Sequence, residues 1–155
     1  MEQIINYLAE KNGFDQDIFV LEEMSELQKE LTKRLRGKNN INDIIEEGAD
    51  VLLTSLILLR AYGYLEKEVK PLLLMQDNHE TEFSVFRLMA ELQRELMIHR
   101  SGYKNDDMVV VKCINLMASV TSFLQKCGAA EKEVRSCMES KLNRLRDFLP
   151  EREPR

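Results

Sequence analysis

The chain has 155 residues, 44% hydrophobic and 32% charged, which suits one packed domain and excludes a disordered chain. A formal net charge of −5 argues against a general nucleic-acid binder, because tracking a phosphate backbone needs a basic face. Glycine, proline and aromatic residues are few while Leu, Met, Glu and Lys are abundant, a composition that favours helix.

In chain order, apolar residues recur at helical spacing almost throughout. IINYLAEKN predicts a short first helix ending at Gly13, and its Glu2 and short apolar run read against a signal peptide. IFVLEEMSELQKELTKRLR follows, capped by Asp15 or Asp17 and stopped by Gly37. After a polar loop, Asn42 or Asp43 is expected to cap DIIEEGADVLLTSLILLRAYG, which closes at Gly63. A brief EKEVK runs into Pro71 and the polar QDNHE. Three more helical stretches then end at Gly102, Gly128 and Pro150, and the tail EREPR reads as frayed. The longest apolar run, VLLTSLILL, is about half a membrane span, so no membrane is expected. Cys113, Cys127 and Cys137 are odd in number and never spaced CxxC, which suggests reduced thiols in a cytoplasm and no zinc site.

The second half restates the first. Shifted by about 65 residues without a gap, VLEEMSELQKEL falls on VFRLMAELQREL, Gly37 on Gly102, Asn40 on Asn105, and EKEV from Glu66 on EKEV from Glu131. Roughly 15 of about 51 aligned positions are identical. The expectation is an all-α, four-helix-bundle-like core made of two tandem, duplicated helical hairpins within one domain, 1–155. The first repeat covers 14–70 and the second, degenerate one covers 79–148 with a basic C-terminal helix.

Carboxylates break the likeness. Glu23 and Glu26 lie three apart on one helix, Glu47 and Asp50 three apart on the next, so each pair shares a face. Twenty residues separate the pairs, enough for an antiparallel return that brings all four together. Stacked like charges cost an isolated helix roughly 0.2–0.5 kcal/mol per pair, so something should offset them. An all-oxygen, anionic site suits Mg2+ or Mn2+, which share their shells with phosphates. In the second half Glu22, Glu23, Glu47 and Asp50 become Arg87, Leu88, Lys112 and Asn115, and only Glu26 keeps its acid as Glu91. Core positions such as Met24/Met89 and Leu27/Leu92 persist, so the acids are separable from the scaffold. Salt bridges to Lys29, Lys33, Arg34 and Arg36 are the plain structural alternative. A di-iron bundle is discounted because neither His79 nor His99 follows a Glu by three residues.

EEMSEL followed by EEGADV resembles the EExxE...ExxD pattern of the MazG-like all-α nucleoside triphosphate pyrophosphohydrolases, a superfamily that includes dimeric dUTPases. The resemblance runs from the first helix through Gly63 and returns in the closing KLNRLRDFL. It implies Mg2+-dependent hydrolysis of a nucleoside triphosphate, as nucleotide-pool housecleaning. Glu23, Glu26, Glu47 and Asp50 match the metal ligands, and Glu22 and Glu26 the catalytic acids. Lys33 and Arg36, with Lys141 and Arg144 of the basic segment, match phosphate-binding positions. The second hairpin stands where a partner subunit would, leaving homo-oligomerisation open. The rival expectation is a non-catalytic nucleotide-binding or protein-interaction bundle.

Met24, Met75, Met89, Met97, Met108, Met117 and Met138 read as core filler, and the cysteines as packed small residues. Tyr7, Phe14 and Phe19 read as packing residues more than as base-stacking ones. Gly48, inside EEGAD, costs a helix about 1 kcal/mol and suggests close helix packing near the acids.

Overall fold

The computed structural model describes residues 1–10, 15–74 and 81–147. These form seven helices: α1 (Glu2–Glu10), α2 (Gln16–Leu35), α3 (Ile41–Ala61), α4 (Glu66–Leu74), α5 (Glu82–Arg100), α6 (Asp106–Lys126) and α7 (Glu131–Asp147). No strand occurs among the described residues, and the fold is all-α.

The burial pattern follows from apolar spacing. On α2 the buried apolar stripe is Val20, Met24, Leu27 and Leu31, which repeats at the i+4 and i+3 intervals of one helix face. On α5 it is Val85, Met89, Leu92 and Leu96, the same register 65 positions on. α3 is buried on almost every side from Ile44 to Leu59, and α6 likewise from Val109 to Leu124. These two are therefore the central helices. α2 packs on α3, α5 on α6, α3 on α6 and α2 on α5, closing a four-helix bundle with α1 laid on α3. Arg34 to Glu82 at 3.2 Å and Arg100 to Asp17 at 2.8 Å tie α2 to α5 at opposite ends, so the two run antiparallel.

Each hairpin is closed in the same way. Gly37 takes φ +92° and Gly102 φ +96°, a left-handed turn that a side chain would strain. Asn40 then donates through Nδ2 to the Glu30 carbonyl and to Glu30 Oε2, both at 2.8 Å. Asn105 makes the same two 2.8 Å bonds to Glu95. The third helices cross over: α4 of the first half packs on α6, and α7 of the second half packs on α3.

Some local expectations shift. α3 begins at Ile41 with Asn40 in the cap position, ahead of Asn42 and Asp43, because the Asn40 side chain is committed to locking the loop onto α2. Asp15 does stand at the cap position of α2, without a side-chain cap bond. α4 does not stop at Pro71 but continues to Leu74. The proline forfeits one bond to the Lys67 carbonyl, and both residues are exposed, where water can satisfy it. Met24, Met89, Met117 and Met138 are core, whereas Met97 and Met108 are 43% and 44% exposed, on the outer faces of α5 and α6. Gly13, Phe14, Met75, QDNHE, Pro150 and EREPR lie outside the described residues. By length and composition α6 is apolar enough to cross a membrane, but 67% of that window is buried inside the fold, as befits a central helix.

Candidate metal centre

The site is built where α2, α3 and α7 meet. Glu23 is one residue off the apolar stripe of α2, which turns it inward, and Asp50 lies within the nearly all-round buried stretch of α3. Both residues are 4% exposed. Glu47, one helical turn before Asp50, is half-buried. One carboxylate oxygen from each of Glu23, Glu47 and Asp50 lies within 4.8 Å of the others. Oxygens on opposite sides of a hard cation stand about 4–5 Å apart, given bond lengths of about 2.0–2.6 Å.

Three acids this close in a dry setting resist ionising together. Burial, then the charges of Asp50, Glu23, Glu26 and Glu46, pushes Glu47 up to about 7. Burial raises Asp50 to about 6, aided by Glu23 and opposed by Lys141. Asp50 Oδ1 is buried and has no hydrogen-bond partner, which ordinarily costs a folded protein about 1–3 kcal/mol. An orphaned carboxylate oxygen beside two more carboxylates is a donor set that fits a hard divalent ion.

The cations come from the other half of the chain. Lys141 Nζ on α7 lies 3.0 Å from Glu23 Oε1 and 3.4 Å from Asp50 Oδ2, and 5.8 Å from the centroid of the Phe19 ring. Burial pulls the Lys141 pKa down, but the hydrogen bond to Glu23 and the charges of Asp50 and Glu23 outweigh it and leave it raised. Arg144, one turn further along, is 4.0 Å from Glu46. Both basic residues lie in the second half of α7, which runs from Glu131 to Asp147.

The structure thus brings together Glu23, Glu47, Asp50 and Lys141. Glu26 is exposed at the rim, near enough for its charge to act on Glu47. Glu22 and Glu46 are exposed on the outer edge. Lys33 lies about two turns beyond Glu26 toward the loop, bound to Glu30 at 2.8 Å, and Arg36 is exposed at the end of α2. Lys33 and Arg34 spend their charges on Glu30 and Glu82, so the acids are not neutralised by those two cations of their own helix. Sequence reasoning placed Lys141 at phosphates and missed its seat between two carboxylates; the crossing of α7 onto α3 is a tertiary fact without a local signal.

In the second half the site has been rewired. Lys112, matching Glu47, lies 3.3 Å from Glu91, which matches Glu26, and Arg87, matching Glu22, bonds Glu91 at 3.2 Å. Gly48 lets α6 approach beside Glu47: a Cβ there would lie 2.9 Å from both methyl carbons of Leu124. Cys113, its counterpart, is fully buried and pushed up to about 12 by that burial, which leaves an inert thiol. A cavity of about 370 Å³ lies elsewhere, between α4 and α7, where Leu52 faces with Met117 and Val69 with Val134; it is apolar and gathers no acid cluster.

Comparisons with protein-family models, with curated proteins and with solved structures find no match to this chain.

Proposed function

We propose that the protein hydrolyses a nucleoside triphosphate to the monophosphate and pyrophosphate, with Mg2+ held by Glu23, Glu26, Glu47 and Asp50. The observation that carries this reading is the convergence of three carboxylates, one with a buried oxygen lacking any partner, at a junction that also receives two cations. The nucleotide itself rests on the resemblance of EEMSEL and EEGADV to the MazG-like enzymes. Bound there, Mg2+ would supply Lewis-acid neutralisation of the polyphosphate. The chain's own residues do the rest. Glu23 and Asp50, held by packing on two helices, fix the geometry of the cradle. Glu47, crowded by Asp50, Glu23 and Glu26, would have its charge neutralised by a bound divalent ion. Glu22 and Glu26 stand at the exposed rim, where an attacking water enters. Arg144, exposed beside Glu46, offers a guanidinium to phosphate oxygens.

A second reading has its own observation. Lys141 already pairs with Glu23 and Asp50, as it would in a non-catalytic bundle whose buried ion pairs pin α7 to α3. One experiment separates the two. Pyrophosphate release is measured from a panel of canonical and modified NTPs and dNTPs with Mg2+, Mn2+ or EDTA, for the wild type and Glu47→Gln. Metal-dependent release that falls by at least about a hundredfold in Glu47→Gln, with helicity intact, is the expected result. Absence of release from folded wild-type protein would favour the ion-pair bundle.

A further inference from the structure

The carboxylate cradle already contains a cation, and it is part of the chain. The Lys141 ammonium lies 3.0 Å from Glu23 and 3.4 Å from Asp50, two of the three acids whose oxygens converge. It does not complete the site: Asp50 Oδ1 remains buried without a partner, and among the described residues no cation stands within ion-pair distance of Glu47. A divalent ion on the oxygens of Glu23 and Asp50 would stand within a few ångströms of the ammonium, and the repulsion between these like charges favours the departure of one of them. Lysine suits an exchangeable role, since its compact charge sits on a flexible four-carbon stem. It also enters from outside the first hairpin, on α7, which packs against α3.

We propose that Lys141 is an exchangeable counter-ion, seated between Glu23 and Asp50 until a divalent cation displaces it and frees its ammonium for an anion held at the same site. This rests on the metal-site reading above and adds what that reading leaves open, namely how an apo cradle is kept folded and how cation and anion binding are linked. Expulsion of the lysine weakens metal binding, and the freed ammonium returns part of that loss when a phosphate-bearing ligand is present.

The test uses Mn2+ alone as the probe, titrated calorimetrically into the full chain at a fixed pH of about 8, where carboxylates are ordinarily ionised. Lys141→Met should bind Mn2+ about tenfold more tightly than wild type, and Lys141→Arg close to wild type. In parallel, wild-type protein is labelled briefly with acetic anhydride and read by mass spectrometry. Mn2+ should raise modification of Lys141 about fivefold while leaving exposed Lys29 unchanged. If wild type binds Mn2+ but Lys141→Met binds no tighter and labelling of Lys141 does not rise, the exchange is wrong and the metal site stands. If neither protein binds Mn2+, both ideas fail together. Should Lys141→Met not fold, labelling of the wild type decides.

Discussion

Position 47 of the first hairpin holds a glutamate pushed up to about 7, crowded by Asp50, Glu23 and Glu26. The matching position of the second hairpin, Lys112, holds a cation 3.3 Å from Glu91. Around these two positions the scaffolds agree: the same stripe on the outer helix, the same central helix, the same asparagine clamp and the same glycine turn. A helical hairpin of this kind therefore does not need the acids in order to fold. One half relieves the repulsion locally with Lys112 and Arg87 on a single remaining acid. The other half keeps the repulsion and accepts a cation from α7, which leaves the carboxylates open to exchange.

The comparison can be broken most directly by making the halves alike. Glu47→Lys copies the second hairpin into the first, and Glu26 stands ready to receive the ammonium as Glu91 does. Metal-dependent pyrophosphate release should drop about a thousandfold or more, with a melting temperature no more than about 2 °C below wild type. A variant that unfolds would show that the first hairpin depends on its acids, and the equivalence of the two scaffolds would be lost.

A matched pair of core truncations sharpens the same point. Leu27 and Leu92 are 1% and 0% exposed at equivalent positions. Leu27→Ala and Leu92→Ala should each cost about 2–5 kcal/mol in urea unfolding, and agree within about 1 kcal/mol. A difference of several kcal/mol would mean that one hairpin carries the fold and the other rides on it.

The third contrast is in pH. Glu47 and Asp50 titrate higher in the folded chain, at about 7 and about 6, than their ordinary values of 4.5 and 3.8. Between those limits the folded state binds more protons than the unfolded one, so stability falls as pH rises from about 4 to 7. After allowance for solvent screening of the half-exposed Glu47, the loss should be about 1–2 kcal/mol in metal-free protein. Denaturant midpoints measured across that range should show it, and Glu47→Gln should remove the share due to Glu47 while leaving that of buried Asp50. Glu91 of the second hairpin is paired with Lys112 and Arg87 and stands outside this acid cluster, so Glu91→Gln should leave the slope in place.

How much of this was legible in the residues depends on the range of the interaction. Helix identity, the hairpin glycines and the shared face of Glu47 and Asp50 follow from spacing of three and four residues, whereas Glu26, paired with Glu23 by the same spacing, lies exposed at the rim. The 65-residue register even forecast which acids the second half would lack. What spacing does not carry is the crossing of α7 onto α3, so Lys141 was visible as a basic residue near a phosphate site and not as a wedge between carboxylates. The same limit applies to Lys33, whose helical position matched a phosphate-binding role while its side chain is held by Glu30, locked in turn by Asn40 across the loop. Pro71 is a milder case: a breaker inside a surface helix is tolerated where solvent can take the freed carbonyl.

The smallest predicted effect concerns Gly48, where local and tertiary preferences oppose each other. By helix propensity alone, Gly48→Ala should stabilise α3 by about 1 kcal/mol. The added carbon would lie 2.9 Å from both methyl groups of Leu124, a side chain only 1% exposed, so the leucine must turn or α6 must move outward. Overpacking of that kind costs about 1–3 kcal/mol, which leaves a net loss of about 1 kcal/mol in chemical denaturation. The glycine also sits directly after Glu47, so an outward step of α6 alters the packing behind the cradle. Gly48→Ala paired with Leu124→Val should restore stability, because the shorter side chain vacates the contact. If the single variant were instead more stable than wild type, the close approach of α3 and α6 would not be what keeps a glycine inside this helix, and Cys113 at the equivalent place in α6 would mark the size the position normally accepts.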